Sequence, residues 1–129
     1  MRACIAEGRT LMPKKILVVD DDDSMLSLYE RVFAGTDYAV SMATTMKAAL
    51  DRMDEIDFDL LVTDFMFPDG VGTDLIRSFE EKKPGGAKSM LVSGSTTEPP
   101  PGKFPSLVGY FEKPFRVKTF LEAVAKALA

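Results

Sequence analysis

Histidine is absent from this chain, and cysteine occurs once, as Cys4. Without histidine there is no histidine-ligated zinc, no Ser-His-Asp triad and no histidine general base. The chain also cannot carry a phosphohistidine of its own. A single cysteine excludes an internal disulfide and fits a reducing, cytoplasmic compartment. A net basic charge is lacking too: the formal balance is −4, against the basic footprint that broad nucleic-acid binding needs. No apolar run approaches membrane-spanning length. The opening MRACIAEGRTLM lacks the apolar centre of a signal peptide. Residues 1–13 therefore read as a loose extension, and a start at Met12 fits a shorter chain.

What remains is an ordinary globular composition, 46% apolar and 28% charged over 129 residues. That length suits one domain, over residues 14–129, with a core that needs no disulfide or structural metal. Residues 16–19 form a short β-branched run, the pattern of a strand buried on both faces. Met25, Leu28, Tyr29, Val32 and Phe33 then recur at helical spacing, capped by Ser24 or an acid before it. Residues 38–43 read as a second strand. Met46, Ala49, Leu50 and Met53 mark a second helix, with Thr44 or Thr45 as its cap. Residues 60–63 read as a third strand, and Pro68-Asp69-Gly70 is turn chemistry. Leu75, Ile76 and Phe79 mark a third helix that stops near Pro84-Gly85-Gly86. Residues 88–93 and 110–112 are the last strands. Val117, Phe120, Leu121, Val124 and Leu128 form a C-terminal amphipathic helix.

Strands alternating with helices predict an α/β fold with a doubly wound, five-stranded parallel sheet in flavodoxin-like order 2-1-3-4-5. One segment breaks the alternation. A fourth helix belongs in residues 96–109, TTEPPPGKFPSLVG, but Pro99, Pro100, Pro101 and Pro105 forbid a regular one. The expectation is a shortened or absent fourth helix.

This fold gives four consecutive acids, Asp20 to Asp23, a meaning. In open parallel sheets the functional crevice lies at the carboxyl ends of the strands. Asp20 and Asp21 follow the first strand, Asp64 the third, Ser93 ends the fourth and Lys113 follows the fifth. Three carboxylates so close repel and take up protons unless a cation joins them. Oxygen-only donors suit a hard cation, and Mg2+ is the natural choice. Lys113 adds a fixed positive charge, so a carboxylate there is suited to accept a phosphoryl group.

The stretches ILVVDDD, LLVTDFMFPDGVG, MLVSGS and YFEKPF resemble the response-regulator receiver domain of two-component signalling, across roughly residues 14–129. The resemblance implies that Asp64 is the phospho-acceptor, that Asp21 ligates Mg2+ directly and that Asp20 holds it through water. The third protein ligand would be the backbone carbonyl of Met66. Ser93 matches the switch hydroxyl and Tyr110 the switch aromatic. Lys113 would pair with the phosphoryl group ahead of a cis Lys113–Pro114 bond. The partners implied are a cognate histidine kinase or phosphotransfer protein and a downstream output protein or output domain. Such a chain is a signalling switch, catalysing only its own phosphoryl transfer and dephosphorylation, with neither nucleic acid nor membrane as a direct partner. The ending AVAKALA fits both a stand-alone receiver and a piece of a longer regulator or hybrid kinase.

Plainer readings compete at several positions. Asp22 and Asp23 suit the positive end of a helix dipole. Ser93 with Gly94 and Ser95 is also loop chemistry, and Tyr110 is also a core aromatic. Asp57, Asp59 and Asp69 read as solvated turn acids, and the methionines as core fillers. Two other functions fit less well. A haloacid-dehalogenase-type hydrolase needs an acid two residues past the nucleophile, where Met66 stands. A flavin-binding module needs a phosphate loop where the four acids would repel phosphate.

Overall fold

A computed structural model describes residues 13–94 and 102–129. Five parallel strands form the sheet: β1 (Lys15–Val19), β2 (Ala39–Ala43), β3 (Leu60–Asp64), β6 (Ser89–Ser93) and β7 (Leu107–Glu112). Their spatial order is β2-β1-β3-β6-β7, the predicted flavodoxin-like order. Four helices flank it: α1 (Asp23–Phe33), α2 (Met46–Glu55), α3 (Gly72–Lys82) and α4 (Val117–Ala127). Between β3 and α3 lies an antiparallel hairpin of two short strands, β4 (Met66–Phe67) and β5 (Gly70–Val71). The Pro68-Asp69-Gly70 turn closes it.

Strand alternation divides the core into two layers. Ile16, Val18, Leu60, Val62, Met90 and Val92 face α1 and α4, where Tyr29, Phe33 and Phe120 pack on them. Leu17, Val19, Leu61 and Leu91 face α2 and α3, where Met53, Leu75, Ile76 and Phe79 cover them. Strands buried on both faces must be apolar at every position, which is why the sequence shows runs here and not alternation. The helix starts follow local chemistry. Asp22 is the cap of α1, its carboxylate accepting from Ser24 N at 2.9 Å. Thr45 caps α2, accepting from Ala48 N at 3.0 Å.

No helix joins β6 to β7 among the described residues; residue 102 is a bend, 103–104 are irregular and 105–106 form a turn. Pro99, Pro100 and Pro101 lie outside the described residues. The part that is described is tied down by side chains instead of helical hydrogen bonds. Arg77 of α3 stacks 4.5 Å over the Phe104 ring. Glu80 accepts from both Ser106 N (2.9 Å) and Ser106 Oγ (2.6 Å). The buried Ser106 and Ser89 hydroxyls meet at 3.1 Å. Each polar group that this segment buries there therefore has a partner. β7 also begins three residues earlier than the sequence pattern indicates, at Leu107 rather than Tyr110, and its pairing with β6 carries a register shift between Ser89 and Met90.

Two turn acids are not simply solvated. Asp59 accepts from Lys15 N at 2.8 Å, tying the start of β3 to the start of β1. Asp69 reaches the first amides of α2, from Met46 N at 3.2 Å and Lys47 N at 3.3 Å. Residues 1–12 lie outside the described residues, and with them almost all of the N-terminal extension.

Phe120 is fully buried in an aromatic cluster, with Phe115 at 4.6 Å and Phe111, Phe33 and Tyr29 within 5.9 Å. Phe120→Ala is expected to destabilise the fold by about 3–5 kcal/mol through lost burial and an unfilled cavity. Urea unfolding followed by circular dichroism measures this as a lower midpoint with an unchanged slope.

Candidate functional site

The site grows from the ends of four neighbouring strands. Asp20 follows β1, and its amide donates to Ala43 O at 3.1 Å, carrying the β1–β2 ladder one residue further. Lys113 follows β7, and its amide donates to Ser93 O at 2.8 Å, extending the other flank in the same way. Backbone pairing thus holds the acid and the lysine at the rim before any side chain is placed. The Lys113–Pro114 bond is cis.

The side chains converge as the spacing predicts. One carboxylate oxygen from each of Asp20, Asp21 and Asp64 lies within 4.8 Å of the others. Lys113 Nζ donates to Asp20 Oδ2 at 2.9 Å and lies 3.3 Å from Asp64 Oδ2. Asp20 is fully buried and its second oxygen accepts from Asp22 N at 2.9 Å. Asp64 is half-buried, and its Oδ1 accepts from Phe65 N at 2.8 Å. Asp21 is exposed. Ser93 is buried at the end of β6, and Tyr110 packs half-buried against the α2–α3 layer. Met66 stands next to the site on β4, its side chain 53% exposed, so only its backbone is held by the fold.

Three carboxylates face one ammonium, and the local charge is therefore negative. Burial pushes the Asp64 carboxyl above its ordinary value; Lys113 opposes this and the Asp20 charge adds to it. Burial would lower Lys113, but the hydrogen bond to Asp20 and the charges of Asp20 and Asp64 together hold it above the usual lysine value. Burial likewise pushes the Tyr29 hydroxyl up, aided by the charges of Asp20 and Asp64. The donor set fits a hard divalent ion: three carboxylates, no sulfur or nitrogen ligand, and excess negative charge to offset.

Glycine makes the close packing behind Asp64 possible. A Cβ on Gly72 would lie 2.0 Å from Asp64 O, and Gly72 N donates to Phe65 O at 2.6 Å. Any side chain there would collide with the Asp64 backbone. Two contributors were not apparent from sequence: Gly72, behind Asp64, and Asp69, which reads as a solvated turn acid but accepts two amide hydrogen bonds from α2. The turn tripeptide was the only signal for Asp69, and it says nothing of what the turn touches.

The structure is thus a doubly wound sheet with an acid cluster and a lysine at its carboxyl edge. The sequence pattern of the response regulator receiver domain matches residues 16–125. This chain belongs to that family, the receiver domains of two-component signalling. It is 27% identical over 117 residues to the response regulator receiver protein CpdR of Brucella abortus, covering 89% of this chain and 97% of that protein. It is 30% identical over 122 residues to the regulatory protein VanR of Enterococcus faecium, covering 92% of this chain but 50% of VanR. The chain thus spans nearly all of one relative and half of the other. Among solved structures, a CheY-like receiver domain from Methanospirillum hungatei superposes with a TM-score of 0.77 at 26% identity, covering 91% and 94% of the two chains. The beryllofluoride-activated DrrB receiver domain gives 0.74 at 26% identity, covering 91% and 98%. No helix among the described residues is long and apolar enough to cross a membrane.

The raised Asp64 pKa has a definite consequence for stability. The folded state holds this proton more tightly than the unfolded state, so ionising Asp64 costs stability once pH rises past the ordinary carboxylate value of 3.8. Without divalent ions, Asp64→Asn is therefore expected to be more stable than wild type at pH 7. The gap should shrink as pH falls toward that value. Paired thermal melts in EDTA across this range test it.

Proposed function

We propose that this chain is a phospho-acceptor switch in which Asp64 takes a phosphoryl group from a phosphohistidine on a partner kinase or phosphotransfer protein. The observation that carries the reading is the single lysine placed between two carboxylates, 2.9 Å from Asp20 and 3.3 Å from Asp64. An ammonium held there meets the phosphoryl oxygens as they arrive. The Asp64 oxygen attacks phosphorus in line as the imidazole N–P bond breaks, leaving an aspartyl phosphate on this chain and a histidine on the donor.

Asp20, Asp21 and Asp64, with the Met66 backbone carbonyl, are the groups that would hold Mg2+. When bound, the ion supplies positive charge to the phosphoryl oxygens. This chain's own residues do the rest. Phe65 N–H orients Asp64 Oδ1 and leaves Oδ2 directed toward Lys113. Ser93, buried at the rim, donates its hydroxyl to the phosphoryl group, and Tyr110 follows it inward. The added group, with a charge of about −1.5 to −2 by analogy with phosphoserine, then changes the face presented to an output partner. The receiver unit runs over residues 14–129 and works in the cytoplasm. It turns over no external substrate; its catalysis is confined to gaining and losing its own phosphoryl group.

Incubation with Mg2+ and acetyl phosphate, followed by intact mass measurement, is expected to show one acid-labile phosphoryl group per chain. Asp64→Asn should show none, and Lys113→Ala should slow the reaction by at least tenfold, on the order of a lost charge-stabilising contact. Unmodified wild-type protein with Mg2+ binding verified would sink the reading.

A further inference from the structure

We infer that Asp69 is a positioning residue for the acidic site: it locks the hairpin that follows Asp64 onto the N-terminus of α2. This inference rests on the proposed function, because the hairpin carries the groups that serve Asp64. Phe65, at its base, donates its amide to Asp64 Oδ1 and accepts from Gly72 N. Met66, on its first strand, pairs with Val71 on its second.

A hairpin with two residues per strand is too short to hold its own position. Its far end needs an anchor, and α2 supplies one. Asp69 takes the first two amides of α2, Met46 N and Lys47 N, one with each carboxylate oxygen. Thr45 takes the third, Ala48 N. The division leaves the helix start satisfied by two side chains from different parts of the chain. The carboxylate also meets the positive end of the α2 dipole. Gly70, at φ +155°, seats the turn directly on the Met46 thioether; a Cβ there would lie 2.3 Å from Met46 Sδ. The anchor thus combines two hydrogen bonds with one close contact, all at the tip of the hairpin. At the base, Gly72 packs on Asp64 O. The hairpin, residues 65–71, is thus held at both its tip and its base.

Thr45 provides the control, since its hydroxyl caps the same helix through Ala48 N, within α2 itself. Mg2+ affinity is measured by isothermal titration calorimetry, and backbone amide exchange of residues 65–71 by NMR without metal. Asp69→Ala should weaken Mg2+ binding by roughly ten- to hundredfold, the usual scale for a residue that orients metal ligands. It should also speed amide exchange across the hairpin. Asp69→Asn keeps one acceptor and should recover part of both. Thr45→Ala should lower the melting temperature but leave Mg2+ affinity and hairpin exchange at wild-type values. Unchanged Mg2+ affinity in Asp69→Ala, or an equal loss in Thr45→Ala, would overturn the inference. A wild type that fails to bind Mg2+ would instead overturn the functional reading. In that case unchanged hairpin exchange in Asp69→Ala would still overturn the clamp on its own.

Discussion

The ammonium of Lys113, held between Asp20 and Asp64, is the interaction on which the architecture of the site depends. Burying a carboxylate without a partner is strongly unfavourable, and Asp20 is fully buried. It persists because Lys113 and the Asp22 amide each satisfy one of its oxygens. Asp64 is only half served by the same lysine. Its Oδ2 lies 3.3 Å from the ammonium, while its Oδ1 accepts from Phe65 N. Asp21, exposed, is the acid most open to an incoming cation. The three similar carboxylates thus differ in setting: Asp20 is buried and fully paired, Asp64 half-buried beside the lysine, and Asp21 exposed.

The backbone behind this ranking is set by sheet pairing carried past the strand ends. Asp20 bonds to Ala43 and Lys113 to Ser93, so the two oppositely charged residues are fixed by ladders on opposite flanks of the sheet. They are 93 residues apart in sequence. Bringing them together carries a loop-closure cost that the buried apolar layers on both sheet faces offset. The site is therefore a by-product of a core that is stable for other reasons. That is why its own unfavourable electrostatics are tolerated.

Much of the fold was legible because strands buried on both faces must be continuous apolar runs, and ILVV, LLVT and MLVS are such runs. The helix caps Asp22 and Thr45 were legible for a local reason: a cap bonds within three residues of itself. The early start of β7 was not. Leu107 to Gly109 looked like loop because the prolines upstream dominate the local pattern, while the pairing partner Ser89 and the anchors Arg77 and Glu80 are distant. Asp59 and Asp69 were misread for the same reason. An acid beside a turn has the same sequence signature whether water or a helix-start amide donates to it.

Composition and order in the chain alone determined the class of chemistry: no histidine or cysteine ligand set, acids at two strand ends, a hydroxyl and a lysine at two others. Residue type limits which bonds can form, and that limit needs no coordinates. Tertiary structure decided how the acids divide their roles, which turn acid grips α2, and how Gly72 admits the Asp64 carbonyl. Those outcomes depend on distances between segments remote in sequence, and such distances exist only once the sheet has brought the strand ends to one rim.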